Sequence, residues 1–227
     1  MAGLDAIPLF ADMDQSVRER FASRCRHARC EANELVIDYD DASTDVYFLL
    51  SGKVRVLYRT PTGKESILAE LEGGQFFGEL SAIDGQPRSA NITALQRAEM
   101  LVMPAEAFRE MVKSAPDIGY QLLVRLSRHV RDLNTRLAEY SFLQARHRLY
   151  SELLRLSRPR PGHAEERSIS PPPLQHDLAA RIGSRREVVS RELSALKRQG
   201  LIEPTRGALV IKSPGELNRR ILGAMNE

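Results

Sequence analysis

The sequence predicts an α+β protein: a jelly-roll-like antiparallel β-roll, one long helix, then a module of short helices with a two-stranded wing. Three observations carry this. Short runs rich in Val, Ile, Leu and Tyr alternate with turn residues between Glu34 and Met103. From Asp117 to Leu143 the apolar residues Leu123, Leu126, Val130, Leu133, Leu137 and Tyr140 recur in alternating steps of three and four. Beyond Leu174, two short helical patterns flank Gly183-Ser184, and two β-rich runs flank Pro204–Gly207.

The 227 residues suit one large domain or two small ones. With 42% hydrophobic and 28% charged residues the composition is that of an ordinary globular chain. No apolar run approaches the ~20 residues needed to cross a membrane. The N-terminus has no basic n-region and no long apolar h-region, so no signal peptide is expected and the expected location is cytoplasmic. Residues 1–142 hold 17 Lys/Arg against 21 Asp/Glu, a net of −4; residues 143–227 hold 16 against 9, a net of +7. A basic second part following an acidic first part points to a polyanionic partner for the C-terminal region.

In chain order, residues 4–30 read as helical, with Leu9, Phe10, Met13, Val17 and Phe21 at helical spacing and Asp12 or Asp14 as cap. Strands are expected at 35–37, 46–50, 53–58, 66–68, 89–94 and 100–102. A short helix at 105–113 precedes the long one. The long helix's seam has two apolar residues per seven, narrower than the stripe of a core-facing helix. A seam of that width suits a two-fold homodimer, the alternative being a helix packed on its own domain. Residues 144–157 form another helix, and the Pro-rich stretch 157–173 reads as a surface loop. The expected organisation is residues 1–116, 117–143 and 144–227.

The chemistry concentrates in residues 77–90. Gly78 permits a close backbone approach, Glu79 accepts from hydroxyls, and Asp84-Gly85 signals a turn. Arg88-Ser89-Ala90 offers a guanidinium fork and a hydroxyl beside a small side chain. This ordered set is suited to a phosphate and a sugar. It closely resembles the phosphate-binding cassette of cyclic-nucleotide-binding domains. The resemblance implies that Glu79 takes a ribose hydroxyl and that Arg88 and Ser89 hold the cyclic phosphate. Gly78, Leu80 and Ala90 complete the ligand-contacting set. It further implies that the long helix closes over the base through Leu133 and Asn134. Cyclic-AMP-responsive members usually place Thr followed by Ser or Asn there; here Leu133 and Asn134 hold those positions and Thr135 comes after them.

In the C-terminal module, residues 174–182 and 185–199 read as a helix-turn-helix. Leu174 stands where a hydroxyl cap is expected. In the second helix Val189, Leu193 and Leu196 form a core stripe, while Arg186, Glu187, Ser190 and Arg191 lie on another face. Arg pairs with guanine O6/N7 and Glu accepts from cytosine N4; the competing reading is a Glu187–Arg191 ion pair on a solvated face. Arg185 and Arg206 are placed to meet phosphates. Roll, long helix and Arg-Glu-x-x-x-Arg helix in this order resemble the Crp–Fnr family of bacterial transcription regulators. The resemblance implies a homodimer on double-stranded DNA with a palindromic TGTGA-like site. It also implies cyclic AMP or a related cyclic nucleotide as effector, and RNA polymerase as a further partner.

Alternatives are another effector or none, or a redox or metal sensor at Cys25 and Cys30. Those two thiols with His27 fall short of the four ligands a zinc site needs, so no metal is expected. Nucleophile–base pairs and phosphate-binding loops of catalytic type are missing, so the chain reads as a binding protein rather than an enzyme.

Overall fold

The computed structural model describes residues 3–226, which form two compact units meeting between His129 and Val130.

In the first unit, two 3-10 turns, Leu4–Ala6 and Pro8–Phe10, lead into α1 (Gln15–Ala22). Asp14 rather than Asp12 caps α1, accepting from the backbone N–H of Ser16 and Val17 at 2.8 and 3.3 Å. The helical reading of 4–30 fails beyond this point, because Arg26–Cys30 is a strand, β1. It lies at the edge of a sheet and pairs antiparallel with β8, from Arg26 opposite Val102 to Cys30 opposite Ala98.

The remaining elements are β2 (Leu35–Ile37), β3 (Val46–Ser51), β4 (Lys53–Arg59), β5 (Glu65–Glu72), β6 (Phe76–Phe77), α2 (Glu79–Asp84), β7 (Asn91–Ala94), β8 (Ala98–Met103), α3 (Ala105–Ser114) and α4 (Pro116–Phe142). Two antiparallel sheets, β1-β8-β3-β6 and β2-β7-β4-β5, make the expected roll.

The last four residues of β8, 100–103, run apolar without alternation. Met100 and Val102 enter one core with Leu49, Val54 and Ile92. Leu101 and Met103 enter the other with Phe48, Phe108 and Met111. A strand covered on both faces needs apolar residues at every position. Strand β6 divides likewise, Phe76 joining the second core and Phe77 the first. The cassette therefore starts from an anchored strand.

The second unit takes up α4 from Val130 and continues with α5 (Ala145–Leu156), β9 (Arg158–Arg160), β10 (His163–Ile169), α6 (Gln175–Arg181), α7 (Arg186–Arg198), β11 (Ile202–Pro204), β12 (Leu209–Ile211) and α8 (Pro214–Met225). Stretch 157–173 is not the expected surface loop. Within it β9 and β10 form a hairpin, and β10 extends the wing by pairing with β12, Ile169 opposite Leu209. Pro159 is tolerated because β9 is the sheet edge, where a missing N–H costs no ladder bond. Leu178, Ile182, Val189, Leu196, Ile211 and Leu217 sit in the core of this unit.

Candidate functional site

Gly78 has φ +86°, a conformation that L side chains rarely adopt. A Cβ there would lie 2.7 Å from the Asp45 carbonyl oxygen and 2.8 Å from Arg88 Nη1. The glycine thus satisfies both a backbone and a space requirement. It ends β6 and starts α2, so Asp84-Gly85 is the end of a short helix, not a turn between strands.

Arg88 is only 3% exposed. Nη1 donates to the Gly78 carbonyl at 3.0 Å, Nη2 to the Asp45 carbonyl at 2.8 Å, and Nε to Ser43 Oγ at 3.1 Å. Its backbone N–H and C=O bond Asp41 and Asp40. Tyr47, stacked on Phe77 at 5.0 Å, places its ring 5.9 Å from the guanidinium. Burial lowers the Arg88 pKa from its ordinary value, against the pull of Tyr47, Asp45, Asp41 and Glu79. Three of the five guanidinium N–H groups are used in these bonds.

Glu79 is the first residue of α2. Burial pushes its carboxyl up, while its own backbone N–H and the charges of Arg125, His129 and Arg88 pull it down. Of the other expected cassette residues, Leu80 and Ser89 are exposed and Ala90 is half-buried. Of the expected set, the structure joins Gly78 to Arg88 by a hydrogen bond and sets Glu79 within reach of the Arg88 charge. Leu133 and Asn134 are exposed on the part of α4 that belongs to the second unit.

Sequence reasoning missed Ser43, Asp45, Tyr47 and Arg125. Arg125 donates to the Phe76 carbonyl at 3.1 Å and lies 4.0 Å over the Phe76 ring. Its only sequence signal was its place beside the heptad seam.

Within that seam Leu123 and Leu137 are 62% and 66% exposed, and Val130 and Leu133 are exposed as well. Leu126 departs from the expected set, since it packs against the core of the first unit. Tyr140 also has partners within the chain. Its hydroxyl donates to the Arg181 carbonyl at 3.3 Å, and its ring lies where a Gly183 Cβ would be 2.9 Å away.

On the recognition helix α7, Arg186, Glu187 and Arg191 are exposed, as is Arg185 at its N-cap; Ser190 is half-buried. Arg206 is exposed in the wing turn. Among the described residues Glu187 and Arg191 make no ion pair with each other. Helix α6 starts at Leu174 without a side-chain cap.

Burial pushes the Cys25 thiol up to about 11 and raises Cys30 as well, and the thiolate is the reactive form. Among the described residues no group of three or more His, Cys, Asp or Glu is arranged to hold a metal ion.

Residues 28–115 match the cyclic nucleotide-binding domain, and residues 147–220 match the Crp-like helix-turn-helix domain. The cyclic AMP receptor protein of Thermus thermophilus is 32% identical over 183 residues, covering 81% of this chain and 82% of its own. This chain belongs to the Crp–Fnr family. The CRP-like cAMP-activated global transcriptional regulator of Mycobacterium tuberculosis is 30% identical over 177 residues, 77% of this chain and 79% of its own. A CooA variant from Carboxydothermus hydrogenoformans shares the fold, with a TM-score of 0.79 at 20% identity over 97% of this chain and 98% of that one. As a Crp–Fnr protein, the chain is a DNA-binding transcription regulator with a cyclic-nucleotide-binding domain, and not an enzyme. No described helix is long and apolar enough to cross a membrane.

Proposed function

We propose that this regulator is a cytoplasmic homodimer that binds cyclic AMP or a related cyclic nucleotide in the cassette of residues 78–90 and a palindromic TGTGA-like site through α7. The observation that carries the reading is the Arg88 guanidinium, buried beside Gly78. A cyclic phosphate carries one negative charge and accepts such a fork, joined by the Ser89 hydroxyl. Glu79 accepts from the ribose 2′-hydroxyl. The Thermus relative, named as a cyclic AMP receptor, supports the same ligand class.

Residues 1–116 hold the effector, 117–143 join the two protomers, and 144–227 meet DNA. The exposed seam of Leu123, Val130, Leu133 and Leu137 forms the dimer contact. Arg186, Glu187 and Arg191 read base edges; Arg185 and Arg206 hold phosphates, with Ser190 at the same surface. RNA polymerase is the further partner of the DNA-bound dimer. Effector binding shifts the balance between two dimer states that differ in DNA affinity.

Calorimetric titration with cyclic AMP, with cyclic GMP as competitor, tests the effector. One ligand per chain is expected, weakened at least about tenfold, or about 1.4 kcal/mol, by Ser89→Ala and by Arg88→Lys. Leu133 in place of the usual Thr offers a base no hydrogen bond, which favours an effector held by phosphate and ribose. Equal affinity for the two nucleotides is the signature of that arrangement. Absence of heat with both overturns the effector reading and leaves the DNA reading to be judged on the palindrome.

A further inference from the structure

The second unit contains a buried charge cluster that neither the effector site nor the DNA-reading face uses. Glu152 on α5 is 1% exposed. Its carboxylate pairs with Arg155 on its own helix, with Arg181 of α6 at 3.5 Å, and with Arg136 of α4 at 3.9 Å. Arg155 in turn reaches back to α4, donating through Nη2 to both carboxylate oxygens of Glu139 at 2.8 and 2.9 Å. Three helices thus converge on one carboxylate.

The backbone is tied at the same place. Arg148 donates to the Leu143 carbonyl, where α4 gives way to α5, at 2.7 Å and to the Ile182 carbonyl at 3.0 Å. Tyr140 bonds the Arg181 carbonyl and fills the space over Gly183. Ile182, Gly183 and Ser184 form the turn into α7, so the start of the recognition helix is referred directly to the last turns of α4.

Such a cluster is poorly explained by stability. Taking two carboxylates and their guanidinium partners out of water costs several kcal/mol per ion, and an apolar replacement is often neutral or stabilising. Glu152 Oε1 is buried without a hydrogen-bond donor; its Arg181 pairing at 3.5 Å is ionic only. What directional ion pairs provide, and apolar packing does not, is a single relative orientation of the helices they join.

We propose that Glu152 is a positioning residue. It locks the helix-turn-helix in one orientation on the end of α4, and this lock sets the half-site spacing the dimer accepts. The proposal rests on the reading of the chain as a dimer that binds a palindrome. In such a dimer the paired α4 helices are the frame. A recognition helix free to swivel on that frame would meet half-sites at several separations, whereas a locked one meets them at a single separation, about one helical turn.

The test compares the wild-type full chain, Glu152→Gln and the double variant Glu152→Met/Arg181→Met. DNA binding is read by fluorescence anisotropy on duplexes with two inverted TGTGA half-sites, the spacer varied by one and two base pairs. Wild type is expected to prefer one spacer by about thirtyfold, roughly 2 kcal/mol. Glu152→Gln removes the negative charge on which Arg136, Arg155 and Arg181 converge and is expected to melt lower. The double variant removes one charge of each sign, leaves Arg155 on Glu139, and is expected to melt within a few degrees of wild type. Despite this recovery it should discriminate spacers by less than about threefold. A purely structural cluster behaves differently: recovered stability brings back recovered discrimination, and that result overturns the proposal.

If the wild type binds no such palindrome, the DNA-site reading fails, and hydrogen exchange decides the joint by itself. Amides of residues 136–142 and 181–184 are expected to exchange faster in the double variant while those of β10 and β12 do not change. Unchanged exchange across the joint overturns the proposal.

Discussion

Arg88 donates through Nη1 to the carbonyl oxygen of Gly78 at 3.0 Å, closing the cassette onto its own first residue. The bond ties the loop that follows α2 to the residue that precedes the helix. It also explains why a glycine is required there, since a Cβ on Gly78 would meet Nη1 at 2.8 Å and the Asp45 oxygen at 2.7 Å.

Two glycines of the cassette separate conformation from contact. Gly85 also has positive φ, +73°, but a Cβ there meets nothing within 4 Å. Gly85→Ala is expected to cost only the left-handed strain, about 1 kcal/mol. Gly78→Ala adds a collision with backbone and cation, and about 2–3 kcal/mol is expected. Urea denaturation of the two variants measures the difference. Equal losses would mean that the Arg88 fork yields freely.

Glu79 makes stability depend on pH in an unusual direction for a carboxyl. Its folded pKa lies above the ordinary 4.5, because burial disfavours the charged form. The folded state therefore holds this proton more tightly than the unfolded chain does. The associated stability is present below the ordinary value and is lost as pH rises through the raised one. Glu79→Gln should melt higher than wild type at about pH 8, with the gain vanishing near about pH 4. The same variant should bind cyclic nucleotide more weakly, having lost the charged acceptor. Thermal melts at the two pH values check the first statement and calorimetry the second.

Leu126 and Leu137 lie on the same heptad seam with opposite surroundings, the first against its own core and the second 66% exposed. Leu137→Glu is expected to yield a monomer in sedimentation velocity. Leu126→Glu is expected to destabilise the first unit itself, by about 2–4 kcal/mol for a charge placed against apolar packing. A Leu137→Glu protein that remains dimeric would place the dimer contact elsewhere.

The DNA-facing residues divide by the kind of loss expected. Arg186→Ala should cost about 1–3 kcal/mol on the preferred half-site, and Glu187→Ala should relax the preference at one base pair. Arg206→Ala should weaken all sequences alike and reduce the salt slope by about one. Binding measured across a salt series, on preferred and scrambled duplexes, distinguishes these patterns.

The features legible in the sequence are those whose causes are local. Gly78, Asp84-Gly85 and Arg88-Ser89 lie within one short stretch, so the cassette was visible, although its α2 helix was not. The heptad steps of α4 and the Gly183-Ser184 turn between α6 and α7 are likewise written in neighbouring residues. The remaining features depend on contacts between distant parts of the chain. Arg26–Cys30 is a strand because β8 lies beside it, and Pro159 joins a hairpin because β10 is held by β12. Leu126 and Leu137 are alike in sequence pattern and differ in which of them the core reaches. The guanidinium of Arg125 over Phe76 and the convergence of Arg136, Arg155 and Arg181 on Glu152 join residues distant in the chain. Periodicity records which face of an element is apolar. It does not record which partner covers that face, because the partner is selected by packing of the whole unit.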